Sequence, residues 1–157
     1  MVCKGFRECH TQNIQPQKCY MCMTVTNESN PTVKERGVTY TLKNANSLTV
    51  LIYSVYGKLI DGEDEKRCDY LLMAKHGKKA FYVELKGSDW NHALNQLENT
   101  VRLLQPEMKG YTPHLRAVVR RGAPNTKYIP LMKLRKNIAC LYHGATVEVK
   151  PRFYDEV

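Results

Sequence analysis

The chain has 157 residues, of which 43% are hydrophobic and 25% are charged. This length and composition are typical of one globular domain that can bury a core without disulfides. No apolar run is long enough to cross a bilayer, and the N-terminus lacks a signal-peptide core. We therefore expect a soluble, intracellular protein of the cytoplasm.

The charge is unevenly distributed along the chain. The chain has 24 Lys and Arg residues and 15 acidic residues, which gives a formal net charge of +9. This charge favours an anionic partner, with nucleic acid the first candidate and an acidic lipid surface the second. Residues 109–152 hold ten basic residues and one acid, whereas residues 61–69 hold five acids. A basic half beside an acidic cluster favours a metal-dependent enzyme acting on phosphodiesters, although a solvated charged surface would give part of this pattern.

The first 30 residues form a Cys-rich segment that we expect to be loop-rich and distinct from a domain spanning residues 31–157. Its cysteines follow the spacing C-x5-C-x9-C-x2-C, and the last pair is the tight knuckle that tetrahedral zinc sites use. A structural Zn²⁺ and free or redox-active thiols both fit this spacing. The four cysteines are Cys3, Cys9, Cys19 and Cys22. Cys68 and Cys140, in apolar surroundings, are expected in the core.

Alternating apolar residues predict strands over 38–43 and 48–56, followed by a hairpin over 68–87. Residues 88–105 are predicted to form an α-helix, because their apolar side chains recur at the spacing of one helix face. Ser88 or Asp89 can cap its N-terminus.

The rest of the chain is again rich in strand-forming residues. LRAVV (115–119), IACLY (138–142) and ATVEV (145–149) are predicted strands, while YIPLMKLRK (128–136) is a turn or short helix. This order predicts an α/β fold with a mixed central sheet flanked by helices.

Three charges lie on the predicted hairpin, where a buried strand would disfavour them. Side chains alternate along a strand, so Glu84 and Lys86 share one face, and Asp69 on the partner strand can approach Glu84. Close carboxylates repel unless a cation lies between them, and Mg²⁺ commonly takes one or two carboxylates. We therefore predict a Mg²⁺ or Mn²⁺ site at Asp69 and Glu84, with the backbone carbonyl of Leu85 as a further ligand and Lys86 beside it.

Asp69, a 14-residue spacer, Glu84-Leu85-Lys86 and then an amphipathic helix resemble the PD-(D/E)xK nuclease superfamily, which has the restriction-endonuclease-like fold. The segments RCDYLL (67–72) and YVELKGSDWNHALNQLENT (82–100) are similar to those of small uncharacterised members of this superfamily. The resemblance covers residues 60–105. It implies that Asp69 and Glu84 bind the metal, that Lys86 serves the attacking water and that Gln96 on the helix supports catalysis.

The match departs from the family pattern at two points. Cys68 replaces the proline that often precedes the aspartate. Members of the superfamily often carry a further acid on a helix before the first strand, and the sequence does not decide which residue corresponds to it. Glu28 and Glu35 are the candidates, and Asp61 is an alternative acid near the metal. Taken alone, E-x-K is common on exposed strands as a weak surface ion pair.

A backbone-binding surface is predicted in the basic half, where cations would contact phosphates without reading sequence. Its residues are Arg116, Arg120, Arg121, Lys127, Lys133, Arg135 and Lys136. Tyr111, Tyr128 and Tyr142 lie among these charges and could stack on unpaired bases or serve the core.

The leading hypothesis is a Mg²⁺-dependent nuclease that hydrolyses nucleic acid, for which DNA is the first candidate and RNA stays open, and that works as a homodimer or within a larger complex. The alternatives are a non-catalytic nucleic-acid-binding or scaffold subunit that keeps the nuclease-like fold, and a protein-interaction module.

Overall fold

The computed structural model describes residues 2–3, 5–7, 22–62, 65–122, 125 and 127–157. The strands are β1 (Met23–Thr26), β2 (Thr32–Glu35), β3 (Val38–Thr41), β4 (Val50–Ser54), β5 (Tyr70–Ala74), β6 (Lys79–Lys86), β7 (Thr112–Val119) and β8 (Thr146–Lys150). The helices are α1 (Trp90–Leu104) and α2 (Ile129–Leu141). These elements form an α/β fold, as predicted.

The central sheet has six strands in the order β1-β4-β5-β6-β7-β8. Neighbours from β1 to β6 are antiparallel, whereas β7 and β8 run parallel to β6. The predicted mixed sheet is thereby confirmed. In this topology the ends of β4, β6 and β7 and the start of β5 meet at one edge of the sheet.

Each helix connects two parallel strands, α1 between β6 and β7 and α2 between β7 and β8. The Asp89 side chain caps α1 by accepting the His92 N–H at 3.0 Å. Leu94 and Leu97 of α1 share a buried cluster with Leu131 of α2, so both helices cover the same face of the sheet.

The opposite face is covered by the two-stranded hairpin of β2 and β3. Tyr40 and Val33 from this hairpin pack with Leu72 and Phe81 of the sheet in a second buried cluster. The sheet therefore has apolar cover on both faces, and a charged group inside it lies between two hydrophobic layers.

Three sequence-based expectations fail in the details. The predicted strand IACLY is wrong, because residues 138–141 continue α2, whose buried Leu131, Leu134 and Ile138 recur with helical spacing. Cys140 is exposed on that helix. Strand β1, which no sequence pattern predicted, lies within the Cys-rich segment and forms an edge strand of the sheet.

Candidate active site at one edge of the sheet

Asp69 and Glu84 lie on neighbouring strands at this edge. Tyr70 pairs with Val83 in the antiparallel register of β5 and β6, so the preceding Asp69 lies across from Glu84. Oδ2 of Asp69 accepts the backbone N–H of Leu85 at 2.7 Å. The structure thus brings together the residues that the sequence motif had linked.

Helix α1 holds the chain that leads into Asp69 through three hydrogen bonds to consecutive residues. Nδ2 of Asn99 donates to the carbonyl of Lys66 at 2.6 Å, and Nε2 of Gln96 donates to the carbonyl of Arg67 at 2.8 Å. The N–H of Cys68 donates to Oγ1 of Thr100 at 2.8 Å. Gln96 therefore acts on the position of Asp69 through the backbone, while its buried Oε1 has no hydrogen-bond partner in the part of the chain that the structure describes.

Glu84 is a fully buried carboxylate. Val83 and Leu85 pack on the hairpin side, so alternation directs Glu84 and Lys86 to the helix side. Nζ of Lys86 lies 3.2 Å from Oε1 of Glu84, within ion-pair distance. Yet neither carboxylate oxygen of Glu84 has a hydrogen-bond partner among the described residues, which is costly for a buried charge.

The surroundings of the two carboxyl groups disfavour their ionisation. Burial, and then the charge of Asp69, raise the pKa of Glu84 to about 8 despite the opposing effect of Lys86. Burial also raises the pKa of Asp69, against the hydrogen bond from Leu85, and the neighbouring Glu35 adds to the rise. At neutral pH the pair holds a proton that a divalent cation could replace.

The site opens into a cleft of about 570 Å³. It is lined by Glu35, Arg36, Val38, Tyr56, Asp69, Leu85, Lys86, Gly87, His92, Gln96 and Arg120. Carboxylates and cations therefore share one opening, and His92 of α1 is an exposed residue on its wall.

Of the three candidates for the additional acid, Glu35 lies at this site. It ends β2 and lines the cleft, close enough to Asp69 to raise the pKa of that carboxyl group. Glu28, the other candidate, precedes β2, where its carbonyl accepts Nδ2 of Asn44 at 2.9 Å. Asp61 is exposed in the connection between β4 and β5.

Asp69 and Glu84 are the residues that could hold a hard divalent cation. In the described ranges no three His, Cys, Asp or Glu side chains are already gathered closely enough to hold a metal ion. Two carboxylates with further oxygen ligands are nevertheless the usual protein contribution to a Mg²⁺ site. The unpartnered oxygens of Glu84 and the crowding at Asp69 are the features that a cation would relieve.

The predicted basic surface is only partly found. Arg121, Lys127, Lys133 and Lys136 are exposed, and Arg120 reaches the cleft, where its Nη2 donates to the carbonyl of Arg36 at 2.7 Å. Arg135 is half-buried, with its Nε 2.9 Å from the carbonyl of Val147.

Arg116 was wrongly assigned to the basic surface. Its side chain points into the protein and is 4% exposed. Its Nε and Nη2 donate to the two carboxylate oxygens of Asp155 at 2.7 and 2.9 Å. Because this fork is fully occupied, Arg116 serves the fold and cannot contact a phosphate.

The Cys-rich segment is described only at its two ends. Cys3 is half-buried, Cys22 is buried, and their side chains contact each other. Burial, followed by the neighbouring Cys3, raises the pKa of the Cys22 thiol. Cys9 and Cys19, the other two predicted zinc ligands, lie outside the described residues, so the zinc prediction remains a prediction.

Sequence reasoning missed Arg36 and Tyr56 as residues of the cleft. Each lies in a tight turn next to a strand, and turns give no signal about which distant element they approach. The pairing of β4 with β5 places Tyr56 near Asp69, and the packing of the β2–β3 hairpin on the central sheet brings Arg36 there.

No helix within the described ranges is long and apolar enough to cross a membrane. No family model, curated protein or solved structure matches the chain significantly.

Proposed function

We propose that the protein is a metal-dependent nuclease of the PD-(D/E)xK type that hydrolyses phosphodiester bonds of nucleic acid, with DNA as the preferred substrate. The restriction-endonuclease-like identity is part of this proposal. It is supported by the order of Asp69, hairpin, Glu84-Leu85-Lys86 and capped helix α1, all at one edge of a mixed sheet.

The observation that carries the proposal is the unsatisfied carboxylate of Glu84. A protein that needed only a stable sheet would place an apolar residue here, between two hydrophobic layers. Instead a buried acid lies across from Asp69, with the ammonium of Lys86 3.2 Å away and no other hydrogen-bond partner among the described residues. Perturbed acids that line a cleft are characteristic of functional sites.

The roles of the residues follow from their positions. Asp69 and Glu84 would hold Mg²⁺ or Mn²⁺, with the carbonyl of Leu85 as a further ligand and Glu35 beside Asp69. Such an ion, when bound, supplies Lewis-acid polarisation of a phosphate and lowers the pKa of water. Lys86 lines the cleft and contributes an ammonium that can hold the nucleophile and stabilise charge developing on the phosphate. Gln96 positions Asp69 through the carbonyl of Arg67.

Arg36 and Arg120 lie on the wall of the same cleft and carry charge suited to the phosphates on either side of the scissile bond. Hydrolysis of a polyanion requires acidic side chains that bind a metal cation and basic side chains that bind the substrate backbone. This electrostatic division favours a phosphodiester over a neutral substrate.

The test is cleavage of supercoiled plasmid and of labelled single-stranded and duplex oligonucleotides in Mg²⁺, in Mn²⁺ and in EDTA. We expect metal-dependent cleavage that falls at least about 100-fold in Lys86→Ala and in Asp69→Asn. Lys34→Ala, at an exposed lysine of β2, is the matched control and should retain the full rate.

Full activity in purified Lys86→Ala would refute the role given to that lysine. Salt-dependent binding with no cleavage in either metal would instead identify a non-catalytic nucleic-acid-binding subunit.

A further inference from the structure

Tyr56 is an exposed aromatic residue in an otherwise polar cleft. Its relative exposure is 64%, whereas Tyr40, Tyr53 and Tyr82 are buried in the core. The residue lies just after β4, at the edge of the sheet where Asp69 and Lys86 meet, and it lines the same cleft. A large ring left in water at this point contributes little to folding.

The ring of Tyr56 is held on one side by a buried cation. The guanidinium carbon of Arg67 lies 4.6 Å from the ring centroid, a cation–π distance. Arg67 is itself 5% exposed and is fixed by a hydrogen bond from Nη1 to the carbonyl of Gly62. The support beneath the ring is therefore a buried guanidinium with a hydrogen bond to the backbone.

The backbone of Tyr56 is also fixed. The N–H groups of Lys58 and Ile60 both donate to the carbonyl of Val55, at 3.4 and 3.2 Å, which closes a tight turn around the tyrosine. A ring with a fixed backbone and a fixed cation behind it loses little entropy when a flat group packs against its open side.

We propose that Tyr56 is a stacking platform for an unpaired nucleobase, so that the substrate class of this cleft is single-stranded nucleic acid. The proposal rests on the nuclease function proposed above. Nucleobases stack well on tyrosine rings, but in a duplex their faces are already occupied by neighbouring bases. Arg36, Arg120 and Lys86 supply the charges for the backbone beside that base.

This assignment differs from the tyrosines singled out by the sequence. Tyr128 is half-buried, its ring packs edge-on against Trp90 at 4.2 Å, and its hydroxyl donates to Asn91 at 2.7 Å. Tyr111 and Tyr142 are partly buried against the core. Tyr56 therefore has the accessible ring that stacking requires.

The test is equilibrium binding of a fluorescein-labelled oligo(dT) and of a duplex of the same length, measured by anisotropy in Mg²⁺. The protein carries Lys86→Ala so that the probes stay intact. Tyr56→Leu removes the ring but keeps apolar bulk, and Tyr56→Phe keeps the ring. Tyr154, which is 86% exposed, provides the matched control Tyr154→Leu. Unchanged melting temperatures establish that the variants are folded.

We expect Tyr56→Leu to weaken oligo(dT) binding by about tenfold or more. Tyr56→Phe and Tyr154→Leu should bind like the parent, and the affinity for the duplex should be unchanged by all three. Equal losses for oligo(dT) and duplex, or no loss in Tyr56→Leu, would overturn the proposal.

The cleavage assay keeps this proposal separate from the nuclease function. Ring-dependent binding of oligo(dT) without metal-dependent cleavage by the unmodified protein would support the stacking site and reject the nuclease. The opposite result is metal-dependent cleavage that Lys86→Ala abolishes, with the single-stranded and duplex substrates cleaved at the same rate. If Tyr56→Leu leaves both rates unchanged, the nuclease function is supported and the stacking site is rejected.

Discussion

Nζ of Lys86 lies 3.2 Å from Oε1 of Glu84, two residues earlier on the same strand, and no other hydrogen-bond partner of this buried carboxyl group is found among the described residues. Burial raises the pKa of Glu84 despite this nearby cation, because the cost of desolvating the charge outweighs the attraction. One short contact therefore leaves the buried acid incompletely paired, and burial favours its protonated form.

The first prediction concerns pH in the absence of metal. The pKa of Glu84 is raised from 4.5 to about 8, so between these values the folded state retains a proton that the unfolded chain releases. The stability contributed by this group is complete below about pH 4.5 and is lost as the pH rises through 8. In EDTA, we expect the melting temperature to fall by several degrees between pH 5.5 and 8.5.

Glu84→Gln provides the control for this measurement, because a neutral amide of similar shape cannot titrate. Its melting temperature should change less over the same range, and at pH 8.5 it should exceed that of the unmodified protein. Mg²⁺ should stabilise the unmodified protein more at pH 8.5 than at 5.5, since protons compete for the same oxygens. Parallel melting curves for the two proteins would contradict the assignment.

The second prediction separates the two candidates for the additional acid. Glu35 lines the cleft beside Asp69 and raises its pKa, whereas Glu28 lies in the connection between β1 and β2. If Glu35 supports the metal ligands, Glu35→Gln should raise the Mg²⁺ concentration for half-maximal activity by about tenfold. Glu28→Gln should leave it unchanged, and a metal titration of the cleavage rate measures both.

Much of this site could be predicted because its key residues lie close together in sequence. Asp69, Glu84 and Lys86 belong to one hairpin, and the period of 2 fixes which side chains share a face. Gln96 follows on the next helix, where the hydrophobic spacing is unambiguous.

The parts that could not be predicted depend on contacts between distant segments. Glu35 reaches Asp69 only because the β2–β3 hairpin folds over the sheet, and a four-residue strand has too weak a pattern to reveal this. Arg116 was misassigned for the same reason, because its partner Asp155 is 39 residues away. Its basic neighbours in sequence gave no sign of that pairing.

The third prediction follows from the corrected position of Arg116. Although burial alone would raise the pKa of Asp155, hydrogen bonds from Arg116 and Tyr40 and the charge of Arg116 lower it. Removing one partner would leave a buried charge unpaired, so Arg116→Met should cost about 3–5 kcal/mol of unfolding free energy. Denaturant titration measures this loss.

An exposed arginine provides the comparison for this variant. Arg121→Met should change the stability by less than about 0.5 kcal/mol and should weaken nucleic-acid binding with a smaller salt dependence. Equal stability of the Arg116 and Arg121 variants would show that the pair with Asp155 is not structural.

The fourth prediction concerns the turn that connects β2 to β3 at the mouth of the cleft. Gly37 has φ of +75°, and a Cβ at this position would overlap Nη2 of Arg120, the same nitrogen that donates to the carbonyl of Arg36. Gly37→Ala therefore adds a collision to the usual strain of a left-handed residue. The strain alone costs about 1–2 kcal/mol, whereas the collision must displace the Arg120 side chain or the turn.

Gly122, with φ of +69° and open space around its Cα, isolates the strain from the collision. We expect Gly37→Ala and Gly122→Ala to lose similar stability, but only Gly37→Ala to reduce kcat/KM, by about tenfold, since Arg36 and Arg120 both line the cleft. Removing the obstructing side chain in the double variant Gly37→Ala/Arg120→Ala should then cost no more activity than Arg120→Ala alone. Additive losses in that double variant would mean that the turn and Arg120 act on the cleft independently.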